Sequence, residues 1–209
     1  MNYGTVINDV ITAPLTMCSN FNGVGAWHTL TDEERAAYGW YLCEMVNESY
    51  NSFRQVRSEL PALAFDGEKI TAAYTITDKS QDTIRAEVLA SLAEYRFAFE
   101  VGGLQHDGLT VRTDRESQSQ LNIAYSTLLN GLIPDTDWKA VDTWQRVNLE
   151  QLEPIAKAVA AHTRGCFRGE FTVQALISTA QTIDELEAIH IADLFHEAYQ
   201  AAVDEVMNP

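Results

Sequence analysis

The spacing of apolar residues changes near residue 80. Before it, short alternating runs dominate. Tyr3 to Ile7 and Val10 to Thr12 flank Asn8-Asp9, a pair that tolerates the positive φ of a tight hairpin turn. After the Asp66-Gly67 turn signal, Ile70, Ala72, Tyr74 and Ile76 alternate with Thr71, Ala73, Thr75 and Thr77, which predicts one strand with a threonine-rich outer face. Between these runs, Thr31 with Glu34 three residues on forms a capping box. Gly39 stops that helix within about two turns. Residues 41–62 show only weak periodicity.

From residue 80 the period is helical. Ile84, Val88, Leu89, Leu92, Tyr95 and Phe99 share a face, behind a start at Asp78 or Ser80 and before Gly102-Gly103. Asp107-Gly108 then centres a hairpin. The stretch 110–121, "TVRTDRESQSQL", begins as a strand and ends as a helix, so its polar middle is a junction. Thr113 with Glu116 reads as a capping box, and Asp114 is the other candidate cap. Leu121, Ala124, Leu128 and Leu129 form the buried stripe of the helix that follows, which Gly131 stops. Residues 134–149 read as a hairpin or irregular β-arm carrying Trp138 and Trp144. Asn148 and Gln151 cap the next helix, which tolerates Pro154 near its start and either continues through "FTVQALISTA" or breaks or bends near 165–170, at Gly165 and Gly169. Thr182 and Glu185 open a last helix, running through Phe195 towards Val206.

These elements predict an α+β fold: a β-rich N-terminal module over 1–78 and a helical C-terminal domain with a hairpin over 79–209. Composition supports an ordered chain. Hydrophobic residues make up 46% of the 209, and the net charge is −16. So acidic a surface repels phosphate backbones and anionic bilayers, so neither nucleic acid nor membrane is an expected partner. No apolar run reaches the length of a membrane span. The first ten residues, "MNYGTVINDV", have no basic region followed by an apolar one, so no signal peptide is expected. Three unclustered cysteines, Cys18, Cys43 and Cys166, suggest neither a disulfide framework nor a zinc site, and folding in a reducing cytosol is expected.

Candidate chemistry is sparse. His162 and Cys166 share a helix face, as a thiolate pair or half a metal site would, but no third ligand lies near them in sequence. Glu187 and His190 match one Glu-x-x-His element of a di-iron bundle, which needs a second. Gly23-Val-Gly25 is too short for a dinucleotide fingerprint. Glu33-Glu34 and Asp204-Glu205 read as solvated helix faces. No catalytic residue, metal ligand or cofactor site is therefore assigned. Trp138 and Trp144 remain, either as interface anchors or as the local core of a small hairpin.

From about residue 80 to 206 the chain resembles a phage family of domains of unknown function, found at the C-terminal end of tail and tail-fibre-associated proteins. The resemblance rests on "EYRFAFEVGG", "LQHDGLTVRTD", "TDRESQSQL", "DWKAVDTW", "LEQLEPIAKAVAAHTRGCF" and "TAQTIDELEAI", in that order. It implies a non-enzymatic subunit of the tail, baseplate or fibre, oligomeric in its assembly and in contact with other tail proteins of the virion. A tail-fibre assembly chaperone, absent from the mature particle, is the alternative. An enzyme acting on envelope polymers is a lesser one.

Overall fold

The structure, a computed structural model, describes residues 2–15, 20–21, 24–25, 27–139 and 144–208. The chain divides into two compact units, Met1–Lys79 and Ser80–Pro209.

The first unit is built on a five-stranded sheet. Its elements are β1 (Asn2–Ile7), β2 (Val10–Leu15), the short pair β3 (Asn20–Phe21) and β4 (Val24–Gly25), a 3-10 turn at Trp27–Thr29, α1 (Asp32–Ala36), β5 (Trp40–Val46), β6 (Gln55–Arg57), β7 (Ala62–Phe65), β8 (Ile70–Ala73) and β9 (Ile76–Asp78). The sheet order is β2-β1-β5-β8-β7. Asn8 and Asp9 have φ of 51° and 63°, the doubly positive geometry that a two-residue hairpin turn requires. β8 runs parallel to β5 and antiparallel to β7. Cys43, Ile70 and Ala72 are its buried centre. Thr31 and Glu34 close the capping box of α1 reciprocally. The buried Arg35 guanidinium donates to Asp32 Oδ1, the Tyr3 hydroxyl and the His28 carbonyl.

The alternating run 70–77 is two strands rather than one. Ile70–Ala73 stays in the main sheet, while Ile76–Asp78 pairs with β6. The chain turns away at 74–75, where the Thr75 amide donates to Ser58 Oγ and Arg57 lies 4.4 Å from the centre of the Tyr74 ring.

The second unit is mainly helical. It comprises α2 (Gln81–Val101), the hairpin β10 (Leu104–His106) and β11 (Leu109–Val111), α3 (Arg115–Leu129), the ribbon β12 (Thr136–Lys139) and β13 (Trp144–Val147), α4 (Leu149–Thr179), α5 (Ile183–Glu187) and α6 (Ile191–Met207). The fold is thus α+β, with a β-rich N-terminal region and a helical C-terminal region carrying β-hairpins. Val111, Leu121, Leu128, Val147, Leu152 and Val159 form one core around α3 and the start of α4. Leu129 lies outside that stripe. It is exposed, because at 100° per residue it sits a full step round the helix from Leu128.

Two helices differ from the pattern read in the sequence. α4 runs unbroken through Gly165 and Gly169. These glycines serve packing instead: a Cβ on Gly165 would lie 2.7 Å from Tyr199 Cδ2, and one on Gly169 2.7 Å from Phe195 Cδ2. The last helix, in contrast, is broken at 188–190, with His190 extended at ψ 90°. Leu186 and Phe195 are both fully buried. In one continuous helix they would face about 180° apart; the break lets both point inward.

At the junction, the cap is Asp114. Its Oδ1 accepts from the Ser117 amide at 3.0 Å. Thr113 is not the cap. It is fully buried one residue earlier, where its hydroxyl accepts from the Gly103 amide at 2.8 Å, so it ties the end of α2 to the start of α3. Thr113→Ala is therefore expected to cost about 1–3 kcal/mol, because a buried amide loses its acceptor. Asp114→Ala should cost less and show a pH signature. The Ser117 amide and hydroxyl, then Arg112, hold the Asp114 carboxyl below its usual value. A carboxyl lowered in the fold stabilises fully above its unfolded pKa and loses that contribution as pH falls through the folded one. Urea melts of both variants from neutral to acid pH check this. The Asp114→Ala deficit should shrink on acidification and the Thr113→Ala deficit should not.

Candidate functional site

The β12–β13 ribbon sorts its side chains by register. Trp138 pairs with Gln145, and Lys139 with Trp144. Successive residues alternate faces, so Trp138 and Val147 share one face while Lys139 and Trp144 share the other. The inner face is anchored: Val147 is buried and Trp138 packs against the core of α3 and α4. The outer face is not. Trp144 is 67% exposed, and Lys139 Nζ sits 5.7 Å from the centre of its ring. The two tryptophans thus divide the roles that the sequence left open between them. One belongs to the local core and the other projects. Residues 140–143, which join them, lie outside the described residues.

Beside the ribbon is a pocket of about 320 Å³. β11 contributes Leu109 and Thr110, α3 contributes Ser117 and Gln120, and both tryptophans line the ribbon side. Of its charged lining, Arg112 pairs with Asp114 at 3.2 Å and Asp137 with Arg146 at 3.3 Å, while Lys139 lies over the Trp144 ring. An aromatic platform, an apolar wall and neutral hydroxyl and amide groups suit contact with another surface. The Ser117 hydroxyl, which lines the pocket, donates to Asp114 Oδ2 at 2.7 Å, beside the amide bond that caps α3.

The other sequence candidates have structural surroundings. His162 is buried, with Nε2 3.0 Å from the Glu100 carbonyl and Nδ1 2.9 Å from the Tyr199 hydroxyl. A carbonyl only accepts, so Nε2 carries the proton, and in the neutral ring Nδ1 accepts from Tyr199. Cys166 Sγ lies 3.8 Å from Nε2. Burial, and then the charge of Glu100, pushes the Cys166 thiol up to about 12. It is a packed thiol, not an activated thiolate. Glu187 ends α5 and His190 lies within the break before α6, so the two do not share a helix face. Glu34 is occupied by its capping box, and Glu205 by Arg164 at 2.6 Å. Val24 and Gly25 form β4, and Gly23 lies outside the described residues. Among the described residues no three His, Cys, Asp or Glu side chains converge as a metal site would require. No described helix is long and apolar enough to cross a membrane.

One cluster has no counterpart in the sequence reading. Glu100, with no exposed surface, accepts from Arg96, from Arg115 Nη2 at 3.2 Å and from Gln118 Nε2 at 3.4 Å. Arg96 also reaches Glu170 at 3.1 Å, and Gln118 donates to the Thr113 carbonyl at 2.6 Å. The polar junction 113–118 is therefore one half of a clasp whose other half is the end of α2. Its charged groups satisfy one another, which is what their burial demands.

The ribbon, the pocket beside it and the clasp all belong to the helical unit, Ser80–Pro209. Residues 83–192 match the family described as Domain of unknown function (DUF4376). That is just over half of the chain, from α2 to the start of α6, and the chain belongs to this family. No curated protein and no solved structure matches it.

Proposed function

We propose that the chain is a non-enzymatic, bacteriophage tail-associated structural protein. It serves as a subunit of the tail, baseplate or tail-fibre attachment and works through protein–protein contacts. The observation that carries the contact reading is Trp144. A large aromatic held two-thirds exposed on a ribbon, with the opposite face fixed in the core, is a preorganised anchor. The tail setting rests on the resemblance of residues 80–206 to tail and tail-fibre domains. In that setting the protein is made in the host cytoplasm, carried in the virion and surrounded by other tail or fibre proteins. Its acidic surface keeps the free subunit dispersed until it is incorporated.

The two tryptophans provide the test. Trp144→Ala should leave stability within about 0.5 kcal/mol of the parent, since its side chain is mostly in solvent. Incorporation into particles should fall by about tenfold or more, as for an interface anchor. Trp138→Ala should instead lower stability by about 2–3 kcal/mol, because it removes part of the packing on the α3–α4 core. Thermal melts and quantitative proteomics of purified particles measure both. Normal incorporation of Trp144→Ala would rule the anchor out. A chain missing from wild-type particles but bound to fibres during assembly would point to the chaperone instead.

A further inference from the structure

Two adjoining stretches of this acidic chain carry no carboxylate of their own, and the face they form meets one only where Glu205 of α6 reaches Arg164. The sequence holds 30 acidic residues among 209, yet residues 117–134 carry no charge at all. Between Glu153 and Glu170 there is again no carboxylate, only Lys157, Arg164 and Arg168. The fold puts these two stretches side by side, as α3 from Ser117 onward and the middle of α4, residues 154–169. Three depressions run along them. One of about 640 Å³ lies on α3 around Ile123. One of about 380 Å³ lies between the helices and shares Gln118 and Asn122 with the first. The third, about 490 Å³, shares Arg164 and Phe167 with the second and ends at Phe171. Ile123 and Phe171 are 65% and 67% exposed, and Phe167 is nearly half exposed.

We infer that this groove docks an acidic amphipathic helix from a partner protein. Its floor is small: Ala156 and Ala160 on α4 and Ser119 and Asn122 on α3 let another backbone come close. From Ala156 to Phe171 it extends about 22 Å, enough for roughly four helical turns. Apolar residues at i, i+3, i+4 and i+7 of the incoming helix would meet Ile123, Phe167 and Phe171. Its carboxylates would meet Lys157, Arg164 and Arg168. Arg164 is already fixed in place, donating to the Ala202 carbonyl at 2.7 Å and to Glu205. Charge also weighs against a second copy of this chain. A two-fold contact of this face with itself would bring Lys157 and Arg168 against like charges, which Glu205, already held by Arg164, offsets only in part. The inference uses a different surface from Trp144 and stands or falls independently of the tail assignment.

Two synthetic helical peptides of about 18 residues test it, both with the same leucine stripe, one flanked by glutamates and one by lysines. Binding to the full chain is read by fluorescence anisotropy. The glutamate peptide should bind at least about tenfold more tightly, with the advantage shrinking as salt is raised. Arg168→Glu should narrow the preference. Phe171→Ser should weaken binding of the glutamate peptide about tenfold with an unchanged circular dichroism spectrum, because its side chain is mostly in solvent. Equal binding of the two peptides, or no binding of either, would overturn the inference. So would sedimentation showing a dimer of the free chain that Phe171→Ser dissociates.

Discussion

Glu100→Ala is expected to destabilise the helical unit by about 3–5 kcal/mol, the range for breaking a buried ionic cluster by removing one partner. The carboxylate has no exposed surface and accepts from Arg96, Arg115 and Gln118. Truncation leaves Arg96, which is mostly buried, with only Glu170 to balance it. It also removes the acceptor that holds the first turn of α3 to the last turn of α2. Glu100→Gln keeps the size and one acceptor oxygen, so its deficit should be clearly smaller. Urea unfolding of the full chain, followed by its helical circular dichroism, measures both. That signal reports on residues 80–209, because α1 is only five residues long. A loss under about 1 kcal/mol for Glu100→Ala would mean that the cluster contributes little to stability.

Glu100 also marks where sequence reading stops. Arg96 and Glu100 stand four apart on a helix, the spacing of an ordinary surface ion pair. Their partners in the fold are Arg115 and Gln118 of α3 and Glu170 and Phe167 of α4, which belong to other helices and which no local pattern links to them. Features with local causes were legible. The capping boxes at Thr31, Asn148 and Thr182 all form, because cap and amide lie three residues apart. The turns at Asn8-Asp9 and Asp107-Gly108 form for the same reason. β5 was not legible. It is the central strand of the sheet, yet it buries Trp40 and Cys43, three residues apart, and so shows no alternation. The tryptophans fall between these cases. Both were visible as large aromatics on an arm, but which faces inward depends on the register of the ribbon. With Lys139 opposite Trp144, residues six apart land on opposite faces. The α3–α4 groove had a signal that went unread, the loss of every carboxylate over two helical stretches of an acidic chain. Such a gap gains meaning only when the fold sets the two stretches together.

Gly165 and Gly169 were legible as glycines and misleading as to purpose, and the second large prediction follows from their actual one. Gly169→Val should destabilise the helical unit by about 3 kcal/mol or more. A Cβ there would meet Phe195 at 2.7, 2.9 and 3.0 Å, all ring atoms. The ring cannot swing aside. It is fully buried, with Tyr95 at 5.2 Å and Phe99 at 5.4 Å between ring centres. The strain must therefore push α6 away from α4, thinning the contact that also holds Tyr199 against Gly165 and His162. Alanine is the milder case, since its helix propensity returns about 1 kcal/mol against the overpacking. Valine returns less and adds two methyl groups to the clash. If the cause is this contact, Phe195→Ala should cost much less in the Gly169→Val background than in the parent, because the cavity it opens takes up the new side chain. A double-mutant cycle should give a favourable coupling above about 1 kcal/mol. Additive losses would mean that the glycine is required for some reason other than the approach of α6.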